Sequence, residues 1–350
     1  MLLLTLFLSI TFTSFSLPTV SLTRAKGFYT NPVIPDADTP DPGVAFDPTK
    51  KLFWVANTGG DGGDACFALH SSPDLVTWTS RGFAFPTKPS WIINSCWAPE
   101  LHFINGNWLM YYVGRSAATG LLSVGVAMSS DIEGPYTDPN NGPLVQDTGP
   151  NAQYQGQIDP TVAIDEVDGR IYLIWKTDGN ADNKPTPIRI HALCSNGTKL
   201  ALTENDDWHN SQLITNDLPW EGSIVEAPWV VFHSGSYFLF YSGNGYGGPY
   251  AVSVARSSNL TGPYVKLGIP ILRNASTSSP PFQAPGHCSV LQAIDDTTVM
   301  IYHAWTGDER QQRHVMIDAI QFNGKGGGFN DWPALANGGV SPSVGQTPIP

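Results

Sequence analysis

Charge is what this chain has least of. Only 14% of its 350 residues are Asp, Glu, Lys or Arg, against about 25% in an average domain. Basic residues are the scarcer sign, 18 against 30 acidic, for a net charge of −12. Phosphate recognition rests on clustered positive charge, so a nucleic-acid partner is disfavoured and a neutral, solvated polymer fits better. Cysteine is scarce too: four residues without any Cys-x-x-Cys spacing, which argues against a zinc site. No segment carries the apolar stripe of an amphipathic helix. Beyond the first 21 residues no apolar run is long enough to span a bilayer, so no membrane partner is expected.

What is abundant is turn chemistry, 35 Gly and 29 Pro, between short strands rich in β-branched and aromatic residues. One layout recurs five times: a residue pair, an apolar strand, a turn, a second apolar strand, then a Gly or Asp exit. The copies open at Asp41, Ala98, Asp159, Ala227 and His287, and the second member of the pair is Pro in four of them: Pro42, Pro99, Pro160 and Pro228. A repeat of about 60 residues built from short strands is a long-looped β-propeller blade. One copy alone leaves both faces bare, whereas five stacked round an axis bury them. The fold class is therefore all-β, a five-bladed propeller forming a single domain.

In a propeller the innermost strand of each blade lines a central channel, and equivalent residues come round the axis together. The openings Pro40-Asp41, Trp97-Ala98, Ile158-Asp159, Glu226-Ala227 and Gly286-His287 should converge on one channel mouth. Three carboxylates and a histidine meet there, and the openings supply no basic partner beyond His287. Crowded carboxylates raise one another's pKa. That serves acid–base chemistry, where one carboxyl stays protonated while another is ionised. The competing reading is that Asp41 and Asp159, each preceding Pro, only cap turns.

The segments TPDPGV (39–44), WAPEL (97–101), IDPTV (158–162), VEAPWV (225–230) and GHCSV (286–290) together resemble glycoside hydrolase family 43. The resemblance covers nearly all of residues 30–322. It implies Asp41 as the general base that activates water and Glu226 as the general acid. Asp159 would orient Glu226 and raise its pKa. His287 matches a channel histidine that helps hold a metal or water cluster, so it is a candidate metal contact through water and a substrate contact, with a structural Ca²⁺ in the channel and no required cofactor. Arg313 matches an arginine reaching the substrate. The chain departs from the His-Asp-Pro start common in arabinanases, having TPDPG instead. The implied activity is inverting release of arabinofuranosyl units from plant cell-wall arabinan or arabinoxylan. A β-xylosidase or endo-arabinanase of the same family is the alternative within that class. A carbohydrate-binding propeller without turnover is the alternative outside it.

Among aromatics, Trp97 stands at a channel opening and is the first candidate for a sugar platform, with Trp91 and Phe282 behind it. Trp175, Trp229 and Trp305 read as core. His102, His191, His209, His233 and His303 lack metal-ligand spacing and read as structural. The apolar stretch of residues 1–21 reads as a secretory signal, placing the mature protein outside the cell and the propeller at 27–350, with an irregular Gly/Pro-rich tail from about 323. Secretion agrees with glycosylation sequons at Asn196, Asn259 and Asn274. It also favours a disulfide, for which Cys66 and Cys96 are the nearest pair. Nothing in the sequence sets an oligomeric state.

Overall fold

The computed structural model describes residues 28–59, 63–203, 206–274, 282–292, 297–307, 310–322, 332–335 and 347–348. The secretory signal expected at the N-terminus lies outside them, as does most of the C-terminal tail. β1 (Phe28–Tyr29) precedes blade 1, which contains β2 (Gly43–Asp47), β3 (Leu52–Asn57), β4 (Cys66–Ser72) and β5 (Thr79–Phe85). Blade 2 contains β6 (Trp97–Ile104), β7 (Asn107–Arg115) and β8 (Leu122–Ser129). Blade 3 contains β9 (Gly156–Ile164), β10 (Ile171–Asp178), β11 (Ile188–Ala192) and β12 (Gln212–Ile214). Blade 4 contains β13 (Val225–His233), β14 (Ser236–Gly243), β15 (Ala251–Ser257) and β16 (Val265–Lys266). Blade 5 contains β17 (Phe282–Gln292), β18 (Thr298–Thr306), β19 (Gln312–Phe322) and β20 (Pro333–Leu335), and β21 (Thr347–Pro348) pairs with β1. This is the five-bladed propeller expected from the repeat.

The second strands read as continuous apolar runs because each blade is covered on both faces. Successive residues of β7 point into different cores: Tyr112 packs with Phe67 and Phe85 between blades 1 and 2, and Tyr111 packs with Trp175 between blades 2 and 3. In β14, Tyr237, Leu239 and Tyr241 face blade 3 while Phe238 and Phe240 face blade 5. The ring closes where Phe53 and Val55 meet Ile301 and Val315. Residues just after β1 reinforce that closure along β19: Asn31 exchanges hydrogen bonds with Ile317, and the Val33 N–H donates to the Val315 carbonyl at 2.9 Å.

The residue pair opening each copy has a backbone explanation. Asp41, Ala98, Asp159, Ala227 and His287 all adopt left-handed φ, between 44° and 53°. Each sits where its inner strand carries one more residue than its neighbour. Ile158 and Thr161 oppose Lys176 and Ile174, and the pattern repeats at Trp97/Glu100, Glu226/Trp229 and Gly286/Ser289. In blade 1 the Thr58 N–H bonds back to the Pro40 carbonyl, giving the same offset before Gly43. These are β-bulges, which re-aim side chains and tolerate a proline that donates no ladder bond. Inner strands also run close together: a Cβ on Gly43 would fall 1.9 Å from the Pro99 carbonyl oxygen.

Candidate active site

The five bulges turn their side chains towards one mouth of the channel. A cavity of about 200 Å³ opens there, lined by Asp41, Thr58, Trp97, Ile158, Asp159, Glu226, Tyr246, Tyr250, His287 and Arg313. Asp41, Trp97, Asp159, Glu226, His287 and Arg313, six of the residues singled out for catalysis or substrate contact, lie in this lining. Tyr250 packs flat against the bulge of blade 5, where a Cβ on Gly286 would strike its ring at 2.0 Å.

Asp41 stands among donors. Its Oδ2 accepts from Thr58 Oγ1 at 2.6 Å, and the same hydroxyl oxygen accepts from the backbone N–H of Ala98 at 2.7 Å, joining blades 1 and 2. Oδ1 has Arg313 Nη1 at 3.4 Å, His287 Nδ1 at 3.3 Å and His303 Nδ1 at 3.2 Å. Burial opposes ionisation, but Arg313 with the two histidines outweighs it and holds Asp41 well below the usual carboxylate range. His303 itself is kept neutral, since burial pushes it down to about 4. Its Nδ1 stands 3.1 Å from the Asp41 backbone nitrogen and 3.2 Å from Asp41 Oδ1. His303, read from the sequence as structural, touches Asp41 directly.

The opposite wall is carboxyl-rich. Asp159 Oδ2 accepts the N–H of Ala227 at 2.9 Å, fixing the bulge that carries Glu226. Burial, reinforced by Glu226 and Asp41 against the counter-pull of His287 and Lys176, raises Asp159 to about 7. Glu226 Oε2 accepts from Lys176 Nζ at 2.8 Å, and that ammonium also meets Asp178 Oδ1 at 2.9 Å. Burial alone would discharge Lys176; Glu226, Asp178 and Asp159 outweigh it and keep the ammonium charged. Deeper in the channel lies Glu100, 4% exposed, with Oε2 lacking a protein partner and a carboxyl raised by burial and by Asp159. The openings themselves supply no strong base, but Arg313 reaches the mouth from β19 and Lys176 reaches Glu226 from β10. The signal for Lys176 was present: a lone lysine inside the apolar run IYLIWKTD.

Other expectations divide. Trp97 lines the cavity, whereas Trp91 and Phe282 do not reach it. Trp91 is 8% exposed and stacks on Tyr112, and Phe282 is 5% exposed in the core between blades 4 and 5. Trp175 is core as expected, and Trp229, partly buried, packs against the core between blades 4 and 5, beside His102 and the Val290 carbonyl. Trp305 is no core residue: it stands partly exposed on the rim beside Tyr246. His209 is structural, bridging Asp147 and Asp207. Cys66 and Cys96 form the disulfide, leaving Cys194 exposed and Cys288 buried as free thiols. Asn196 and Asn259 are exposed; Asn274 is half-buried, its Oδ1 accepting the Ala284 N–H at 2.5 Å. Among the described residues no three His, Cys, Asp or Glu side chains converge as metal donors. An ion beside His287 would draw further oxygen ligands from water.

Fold and site together define a five-bladed propeller with an acidic, sugar-sized cavity at the channel mouth. Residues 29–327 match the family model of glycosyl hydrolases family 43, and the chain belongs to that family. It is 24% identical over 280 residues to an extracellular endo-α-(1→5)-L-arabinanase of Bacillus subtilis, covering 75% of this chain and 78% of the other. It is 28% identical over 308 residues to a β-D-galactofuranosidase of Aspergillus niger, covering 81% and 82%. A thermostable family-43 glycoside hydrolase of known crystal structure superposes with a TM-score of 0.77 at 25% identity, over 92% of this chain and 99% of the other.

Proposed function

We propose that the protein is a secreted, inverting glycoside hydrolase that releases arabinofuranosyl units from plant cell-wall arabinan or arabinoxylan. The observation carrying this reading is that Asp41 and Glu226 share one cavity in opposite surroundings. Asp41, held ionised by Arg313 and two histidines, is suited to take a proton from water. Glu226 sits beside Asp159, whose carboxyl is raised to about 7 by burial and so holds a proton on this wall near neutral pH. Glu226 passes a proton to the leaving oxygen while Asp41 directs water at the opposite face of the sugar. Asp159 holds the Glu226 bulge through the Ala227 N–H.

Arabinose as the released sugar is supported by the likeness to the arabinanase, and secretion by that relative's being named extracellular. A cavity of about 200 Å³ suits one sugar ring, which favours single units as products. The test is product analysis on arabinan, arabinoxylan and xylo-oligosaccharides. Arabinose supports the reading, and xylose would move it to β-xylosidase. Oligosaccharide products would make it an endo-acting enzyme. Binding without any product would make it a carbohydrate-binding propeller.

A further inference from the structure

Two large aromatic rings stand at the rim of the cavity, Tyr246 in its lining and Trp305 outside it. Tyr246 is 52% exposed, and the partly exposed Trp305 lies stacked alongside it, with centroids 6.4 Å apart and planes 21° from parallel. Both are fixed. Trp305 Nε1 donates to the Tyr246 carbonyl at 2.7 Å. The loop carrying Tyr246 is tied at one end through Asn244, whose N–H donates to the Glu221 carbonyl, and at the other by the Arg310 guanidinium on the Gly247 carbonyl. Arg310 is itself anchored by Gln283 at 2.8 Å. Exposed rings normally gain by burial; these are held in place at the surface, which lowers the ordering cost of a ligand that stacks on them.

Arg313 links this wall to the chemistry. Its guanidinium carbon lies 4.8 Å from the Tyr246 ring centre and 5.5 Å from that of Trp305, while Nη1 lies 3.4 Å from Asp41 Oδ1. Because a cation already occupies the rings' electron-rich side, a cationic ligand is disfavoured. A neutral ring with apolar C–H faces and a hydroxyl edge fits.

We infer that Tyr246 and Trp305 form a second sugar subsite, which stacks a unit of the chain adjoining the one held in the cavity. The inference deepens the hydrolase reading and rests on it for the identity of the sugar. It makes the protein a reader of chains rather than of isolated monosaccharide glycosides.

The test is calorimetric binding of α-1,5-linked arabino-oligosaccharides of two to five units to the full chain carrying Glu226→Gln, with and without Trp305→Ala or Tyr246→Ala. The wall predicts that affinity rises by about tenfold with the units that reach it, and that this rise disappears in both alanine variants and survives in Trp305→Phe. The inference is overturned if the alanine variants keep the same rise with normal thermal unfolding, or if no protein shows one. A rise seen only with xylo-oligosaccharides changes the sugar and keeps the subsite. Turnover by the unaltered chain is measured in parallel. Turnover without the chain-length effect removes the subsite alone, and the effect without turnover removes the hydrolase reading alone.

Discussion

Lys176 Nζ lies 2.8 Å from Glu226 Oε2 and 2.9 Å from Asp178 Oδ1, on a side chain only 1% exposed. A buried ammonium between two carboxylates fixes the position of Glu226 as firmly as any backbone contact. Removing one partner of such a pair leaves uncompensated charge in the interior. Lys176→Met should therefore cost about 3–5 kcal/mol of stability in urea unfolding and shift the pH profile of any residual activity. Unchanged stability and an unchanged profile would show that the contact does neither.

Asp41 should be the more sensitive of the two carboxyls proposed for catalysis to loss of charge. Asp41→Asn is expected to lower kcat by roughly 10² to 10⁴ with one cooperative unfolding transition retained. Thr58→Val removes the 2.6 Å hydroxyl contact to Asp41 and the acceptor of the Ala98 N–H, and should cost about 1–3 kcal/mol. Full activity in Asp41→Asn would remove it from the mechanism.

The leaving group tests Glu226. In Glu226→Gln an aryl glycoside with a good leaving group, which needs little protonation, should lose far less activity than polysaccharide. Equal losses on both substrates would contradict the general-acid role.

Asp159 gives a pH signature with a definite sign. Its carboxyl rises from 3.8 to about 7 in the fold, so the folded chain holds this proton more tightly than the unfolded one. Stability from this group is present below about pH 4 and is lost as pH rises through 7. Activity should fall on the alkaline side with an apparent pKa near that value, whereas Asp41 stays ionised well into the acid range. Asp159→Asn can still accept the Ala227 N–H while removing the buried charge. Its melting temperature relative to the unaltered protein should therefore be higher at pH 8 than at pH 5, as activity drops. A melting difference independent of pH would argue against the raised carboxyl.

How far the site was legible follows from what the repeat controls. The five openings were readable because a residue pair before each inner strand becomes the same left-handed bulge, and symmetry then brings Asp41, Asp159, Glu226 and His287 together. Residues on second and third strands obey no such rule. Lys176 and His303 occupy ladder positions whose neighbours are set by blade twist and by the strand across the channel, which sequence periodicity does not encode. Trp305 was misplaced for a related reason. It follows His303 by two residues and so shares its face of β18, but that step carries it past the core to the rim. Trp91 and Phe282 erred the other way, preceding their openings in sequence yet packing inward between blades.

The disulfide makes a separate prediction. Cys66 and Cys96 are 30 residues apart, a loop length for which a bridge contributes about 3–4 kcal/mol, and it joins β4 to the segment leading into Trp97. Replacing both cysteines by alanine should destabilise the chain by that order. Thiol titration should find one reactive group in the native state, the exposed Cys194, and a second, Cys288, only after unfolding. Two reactive thiols in the native protein would contradict the placement of Cys288.

The central claim is that Asp41 and Glu226 act from opposite sides of one sugar, and the stereochemistry of the first product reads it directly. Proton NMR of the anomeric region during digestion of arabinan should show arabinose appearing first in the inverted configuration and then mutarotating. Arabinose appearing first with retained configuration would require a covalent intermediate and contradict the roles given to both carboxyls.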